Sequence, residues 1–461
     1  MSVLAIDLND RALALARAGA VLSSAPSAVF DGSGPESAGA PAWDALRLRP
    51  TATSTRHLRD LSRPGAPGRR ALALLAAELQ RRLAECGPVA DEPVWIAAPP
   101  GLEPHSLGVL LGLARSLAIP VEGFVDAAVV SAAALGLDRP ALVLDLGLHH
   151  SAVTAVDGAG SVGRRRVIGS DRGGLIELYQ SWMTLIGTTL VKRSRFDPLH
   201  DAATEQQLFA ALPLLAREAA ARGRAAAVVQ AGGQRFEALL SVDQFAQAAA
   251  PIYRELLAGM HALRIAGAPV ALLVPRIVLE LPGLETELER FSGCELIALA
   301  DGYAAAALSL LAAPQPSPAA PVRLLRRLPA RARPECARLT ERRILAGAAA
   351  RAPRPTHVLL EGKAIALGSE ALTIGRALEG AHALALPEGL AGVSRRHCTL
   401  LCEGAETVVV DHSSCGTFVN GERVAERASV RAGDRLRIGE PGLELALLAI
   451  DPAAGVGDAP P

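Results

Sequence analysis

Three short clusters near the C-terminus carry groups suited to gripping a phosphate. Gly375-Arg376 offers a guanidinium, whose planar fork of N–H donors matches phosphate oxygens. Ser394-Arg395-Arg396-His397 adds a hydroxyl and two more guanidinium groups. Asp411-His412-Ser413-Ser414-Cys415-Gly416-Thr417 adds further hydroxyls around a glycine that lets the backbone turn tightly. Asn420-Gly421 follows, the dipeptide that a two-residue hairpin turn demands. Together these residues describe a phosphate pocket assembled from loops.

A second set lies toward the N-terminus and is built on carboxylates. Asp7 and Asp145 each end an apolar run, and each precedes a turn: Asn9-Asp10-Arg11 in one case, Gly147-Leu148-His149-His150 in the other. Two such turns facing each other could hold a phosphate between close-approaching amides, and the aspartates could position magnesium-bound water. Asp171-Arg172-Gly173-Gly174 supplies another glycine turn. Other chemistry is thin. Gly158 to Gly163 matches GxGxxG by letter but runs into Arg164-Arg165-Arg166 instead of an apolar-periodic helix. There is no GxSxG elbow and no HExxH. His149-His150 lacks partners at ligand spacing and reads as a solvated turn. No catalytic residue and no metal site is expected. Cys398 and Cys402 read as packing residues of one strand face.

The elements that must position these groups differ between the two ends. Residues 1–312 read as α/β. Val3–Asp7 and Ala12–Arg17 alternate around a turn, Val94–Ala98 and Ala141–Leu146 are short apolar strands, and Ser151–Val156 pairs back on the latter. Helical spacing marks Ala71–Cys86, Leu107–Leu117, Thr204–Arg222, Val242–Leu263 and Gly302–Ala312, and Ala268–Val274 is a strand. Residues 313–355 are rich in proline and carry ten arginines against two glutamates, which predicts a basic linker with a short helix near Glu335–Ala350. Residues 356–450 show short strands with turn signals every 8–12 residues, the pattern of a small all-β sandwich. Residues 451–461 read as a flexible tail.

Over 356–450 the motifs, in their order and spacing, resemble a forkhead-associated (FHA) domain. The resemblance implies phosphothreonine binding by Arg376 and Ser394, with Arg395 beside the peptide and Ser414 on the phosphate or peptide. Gly375, His397, Gly416, Thr417, Asn420 and Gly421 would hold the loops in shape. Cys415 stands where the family commonly has an asparagine that grips the peptide main chain, and a thiol is a weak substitute. The implied partner is a threonine-phosphorylated protein from a Ser/Thr kinase pathway.

Residues 1–312 resemble the two-lobed, ribonuclease-H-like ATPase fold of actin and the 70 kDa heat-shock chaperones. The carriers are the two Asp turns, Ala25-Pro26-Ser27-Ala28-Val29-Phe30, Val94 to Pro99, the helices around Leu113–Ile119 and Phe124–Leu137, Asp171 to Gly174, and Val274–Leu288 followed by Asp301–Leu308. Asp7, Asp145, Gly147, Gly173 and Gly174 would then be the remnants of a nucleotide and magnesium site. The departures are severe. Asn9-Asp10-Arg11 replaces Gly-Thr-Thr, Leu148-His149-His150 replaces Gly-Gly-Thr after the retained Gly147, Pro275-Arg276 stands at the adenosine glycine pair, and no lysine precedes Lys192. The expectation is a pseudo-ATPase without a firm cofactor. The alternatives are an active chaperone-like ATPase regulated by the FHA domain, and a structural assembly subunit.

Composition is compatible with this. The 47 basic and 47 acidic side chains cancel, which argues against a globally basic nucleic-acid binder. No apolar run reaches the ~18–20 residues that span a bilayer, and the N-terminus lacks a secretory pattern. Six cysteines without a CxxC fit a reducing compartment, so the expected location is the cytoplasm.

Overall fold

Strand β1 (Leu4–Asp7) is buried along its whole length, because it lies at the centre of a sheet. Central strands covered on both faces read as continuous apolar runs. It pairs antiparallel with β2 (Leu13–Arg17), which pairs antiparallel with β3 (Ala20–Ala25). On its other side it runs parallel to β4 (Val94–Ala98), which is parallel to β5 (Val121–Asp126). A second sheet repeats this order. β6 (Ala141–Leu146) pairs antiparallel with β7 (Ser151–Val156), and β7 with β8 (Ser161–Ser170). β6 also runs parallel to β9 (Ala271–Pro275), and β9 to β10 (Glu295–Leu299). Both sheets belong to one of two compact units, comprising Met1–Leu256, Ala271–Leu288 and Glu295–Ile344. The computed structural model describes residues 3–31, 38–61, 63–87, 92–102, 104–158, 160–266, 270–289, 291, 294–311, 322–345, 353–376, 378, 380–387, 389–404 and 406–450.

The alanine-rich helices have a packing purpose. α1 (Ala127–Leu135) and α2 (Tyr303–Leu311) are almost wholly buried and share a core with Ala5, Trp95, Val143, Leu273 and Ile297 from both sheets. Small side chains let helices and sheets approach closely, and interiors at near-crystalline density leave little slack. Asp126 starts α1 by accepting from the N–H groups of Ala128 and Val129 at 3.0 and 3.3 Å, and Gly136 ends it at φ 62°. The long helix Leu175–Ser194 and the hairpin of Arg224–Ala231 with Gln234–Ser241 were not expected from the sequence. Among the described residues no helix is long and apolar enough to cross a membrane.

The expected linker needs correction. Within it, β11 (Arg323–Leu325) adds to the first sheet beside β5, and β12 (Arg327–Pro329) adds to the second beside β8. The expected helix near Glu335–Ala350 is instead a 3-10 turn at Pro334–Leu339 followed by β13 (Thr340–Ile344), which pairs with β10. Leu325, Leu328 and Leu339 pack against the core while the exposed Arg323, Arg326 and Arg327 remain in solvent. Arginine density marked a solvated face here, and edge pairing of the backbone decided the structure. Residues 312–321 and 346–352, and the expected tail 451–461, lie outside the described residues.

The second unit comprises Leu257–Val270, Glu289–Cys294 and Leu345–Pro461. Its five-stranded sheet includes β14 (Leu372–Gly375), β15 (Cys398–Glu403) and β16 (Glu406–Asp411). Its seven-stranded sheet includes β17 (Thr417–Val419) and β18 (Glu422–Val424). Val358, Ile374, Leu400, Val409, Leu436 and Leu447 fill the shared core, giving the expected β-sandwich. β17 and β18 are joined by Asn420-Gly421, with φ of 52° and 86°, the paired positive values of a tight hairpin turn.

Candidate functional site

Arg376, Ser394 and Ser414 come together at one end of the sandwich. Arg376 follows directly on β14, and its backbone N–H donates to the carbonyl of Ser394 at 3.2 Å. The Ser394 hydroxyl accepts from the N–H of Ser414 at 3.4 Å. The approach is made possible by Gly375, where a Cβ would sit 1.9 Å from the carbonyl oxygen of Arg395. Arg395, Ser414 and Cys415 are exposed; Arg376 and Ser394 are half-buried. The Cys415 thiol lies 3.8 Å from the Ser414 hydroxyl.

His397 organises these loops. It is fully buried, and its Nδ1 accepts the Ser394 N–H at 3.1 Å. That bond leaves the ring proton on Nε2, which donates to the Gly416 carbonyl at 3.1 Å. Burial pushes the imidazole below its ordinary range, although the Gly416 carbonyl and Asp411 pull the other way. The neutral form is therefore the working one. Asp411 was not given a role from the sequence. Its Oδ1 accepts from Ser413 N–H at 3.1 Å and from the Thr417 hydroxyl at 2.8 Å, and the Ser413 hydroxyl accepts from Gly416 N–H at 2.7 Å. An aspartate two residues before a serine amide is a local turn signal that could have found it. Asn420 ties the hairpin to the next loop, donating to Asp434 at 2.8 Å and accepting from Arg435 N–H at 2.9 Å.

Residues 372–439 match the family model for the FHA domain. No curated protein matches the chain. FHA domains bind phosphothreonine-containing proteins, so the match points to phosphothreonine-peptide binding in signalling. The FHA match begins at the first residue of β14 and ends just beyond the strand Arg435–Ile438. It thus spans all three FHA loops that carry Arg376, Ser394 and Ser414.

The aspartate turns of the other unit also meet, but they fill their own space. Asp10 is buried, and its Oδ1 accepts the Leu148 N–H at 2.8 Å. His150 lies between two carboxylates, with Nδ1 3.5 Å from Asp10 Oδ2 and Nε2 3.3 Å from Asp145 Oδ2. Asn9 donates to Asp145 Oδ1 at 2.8 Å, and Arg11 donates to the Leu146 carbonyl at 3.1 Å while pairing with Asp301. The expectation of a solvated His149-His150 turn is corrected: His149 meets the Thr55 hydroxyl at 2.8 Å and both rings are half-buried. Asp10 draws in a histidine cation. Burial alone would lower the His150 pKa, but hydrogen bonds and charges from Asp10 and Asp145 lift it to about 10. Burial followed by the Asp145 charge raises Asp7 to about 7.

The glycines support the same packing. A Cβ on Gly147 would lie 2.4 Å from both Asp10 and His150, and one on Gly174 would lie 2.4 Å from the Leu148 carbonyl. Gly173 adopts φ 84°. Beside this network lies a cavity of about 490 Å³, lined by Asp10, Arg59, Pro99, Ser106, His150 and Asp171. A second, of about 70 Å³, is lined by Asp7, Asn9, Arg11, Asp145, Pro275 and Tyr303. Among the described residues no group of three or more His, Cys, Asp or Glu side chains is placed to hold a metal ion.

Two pH dependences follow. His397 is neutral when folded, so its contribution is complete above the ordinary histidine value of about 6.5 and is lost as pH falls through its lower folded value. A histidine ring NMR titration of the full chain, with His397 assigned by His397→Asn, is expected to give a midpoint below that value; a midpoint at or above it contradicts the assigned tautomer. His150 has the opposite sign: its contribution is complete below about 6.5 and fades as pH rises through about 10. Urea unfolding followed at Trp182, in the same unit, is expected to lose stability over that window in wild type and to lose markedly less in His150→Gln. Parallel curves would contradict the paired imidazolium.

Proposed function

We propose that this protein is a phosphothreonine-dependent scaffold of cytoplasmic signalling, in which the FHA unit binds a partner phosphorylated by a Ser/Thr kinase. The convergence of Arg376, Ser394 and Ser414 from three loops onto one face carries this reading. A guanidinium, a hydroxyl and an exposed second hydroxyl supply charge-assisted and neutral donors to a dianionic phosphate. Arg395 lies exposed beside them, where a peptide flank would run. Cys415 offers that flank a poor hydrogen-bonding group, so selectivity rests on the phosphate itself more than on the main-chain grip.

The α/β unit, in this proposal, is a degenerate actin-like or chaperone-like domain that does not hydrolyse ATP. The repeated strand order of its two sheets supports the likeness. The Leu148 amide is spent on Asp10, and the His150 bridge stands between the turns. The space beside Asp7 and Asp145, about 70 Å³, is below the roughly 300 Å³ at which small-molecule pockets begin, and the cavity of about 490 Å³ beside Asp10 and His150 is lined by neither of those aspartates.

Titration of the full chain with a phosphothreonine peptide selected from an array tests the first half, and an assay with ATP and magnesium tests the second. Binding is expected for the phosphorylated form alone, with Arg376→Ala weakening it at least tenfold, on the order of a lost charge-assisted bond of about 1.5–3 kcal/mol. Equal binding of the unphosphorylated peptide would overturn the phosphothreonine reading. Magnesium-dependent ATP hydrolysis by the full chain, abolished by Asp145→Ala, would overturn the pseudo-ATPase reading.

A further inference from the structure

The hairpin that follows the phosphate loop is held by residues far away in sequence. Helix Val242–Leu263 ends within the FHA-containing unit, and the short strand Ile265–Ala266 after it pairs in parallel with Arg423 and Val424 of β18. Glu422, at the start of β18, is buried. Its Oε1 accepts from His261 Nδ1 and from the buried Arg264 guanidinium, each at 2.9 Å. The His261 ring stacks on Phe291 with centroids 4.3 Å apart, and the Arg264 guanidinium lies 5.5 Å from the same ring. A buried carboxylate held by two donors is costly to disturb, because removing one side leaves charge without compensation. The hairpin is therefore gripped at β18 by both backbone and charge.

The grip lies close to the phosphate loop. β17 has three residues, so at about 3.3 Å per residue only about 10 Å of strand separates Gly416 from the turn. The connection also runs through a side chain: a Cβ on Gly416 would sit 3.0 Å from Nε of Arg423, the neighbour of Glu422. Gly416 is the residue whose carbonyl His397 holds and whose N–H Ser413 holds. A shift of β18 would move Arg423 against Gly416 and so displace the Ser413–Gly416 turn beside Ser414.

We propose that His261, Arg264 and the strand Ile265–Ala266 position the phosphothreonine loop through Glu422 and Arg423, so that phosphopeptide affinity and the order of this segment are thermodynamically linked. The inference rests on the phosphothreonine reading above. Linkage is reciprocal: a peptide that fixes the loop also steadies the segment, and anything that displaces the helix end weakens the peptide. His261, Arg264 and Glu422 are positioning residues, since they bond to one another and reach the loop only through Arg423.

The test uses the full chain and the tightest-binding phosphothreonine nonapeptide from an array, with its unphosphorylated form as control. Glu422→Gln and Arg264→Met are each expected to raise Kd about fivefold or more, while Arg264→Lys, which keeps the cation, stays near wild type. In wild type, the phosphopeptide is expected to slow hydrogen exchange at the amides of Ile265, Ala266 and Val424, and the unphosphorylated peptide to leave it unchanged. Should the variants fail to fold, the wild-type exchange result decides alone. Peptide discrimination without any exchange effect at these amides removes this inference only. Absence of discrimination between the two peptides removes the phosphothreonine reading and this inference with it.

Discussion

The ring of His397 takes a backbone N–H from Ser394 and returns its own N–H to the carbonyl of Gly416. The arrangement of the loops that carry Ser394 and Ser414 depends on those two bonds. Ser394 cannot present its hydroxyl, nor the Ser414 turn its amide, unless both loops keep their distance from one buried ring. A neutral imidazole suits the task because it accepts on one side and donates on the other, whereas an imidazolium would only donate. Gly375 makes the arrangement possible from below, since a side chain there would collide with the Arg395 carbonyl.

In the α/β unit the aspartate turns are closed by their own charged groups. On the FHA face an arginine and two serine hydroxyls stand half-buried or exposed at one end of a sandwich. In the α/β unit the charges have found each other. Asp10 takes the Leu148 amide, His150 lies between Asp10 and Asp145, and Arg11 pairs with Asp301. An imidazolium between two carboxylates is a self-contained cluster, and admitting a triphosphate there would mean breaking several charge-assisted bonds at once.

How far the sequence revealed this depends on the range of each interaction. Asn420-Gly421 was legible because a two-residue turn with two positive φ values is a local demand. Val94–Ala98, Ala141–Leu146 and Ser151–Val156 were legible because buried central strands are short, apolar and bounded by turn residues. The strands β11, β12 and β13 were not, because they are short segments of a proline- and arginine-rich stretch and only edge pairing with distant partners makes them strands. The pairing of Ile265–Ala266 with β18 was hidden for the same reason, with over 150 residues between the partners. On the loops that carry Arg376, Ser394 and Ser414 the side-chain types were readable in advance, while the part played by Asp411 and the protonation of His397 came only from geometry. Neither the His150 bridge nor its charge could be read from a pair of adjacent histidines.

Backbone amide NMR of the full chain during addition of a phosphothreonine peptide tests the central claim most directly. The largest shifts are expected on Arg376, Ser394, Arg395 and Ser414, and they are expected to vanish when the phosphate is removed from the peptide. Shifts that ignore the phosphate, or that fall elsewhere on the protein and leave these amides unmoved, would contradict it.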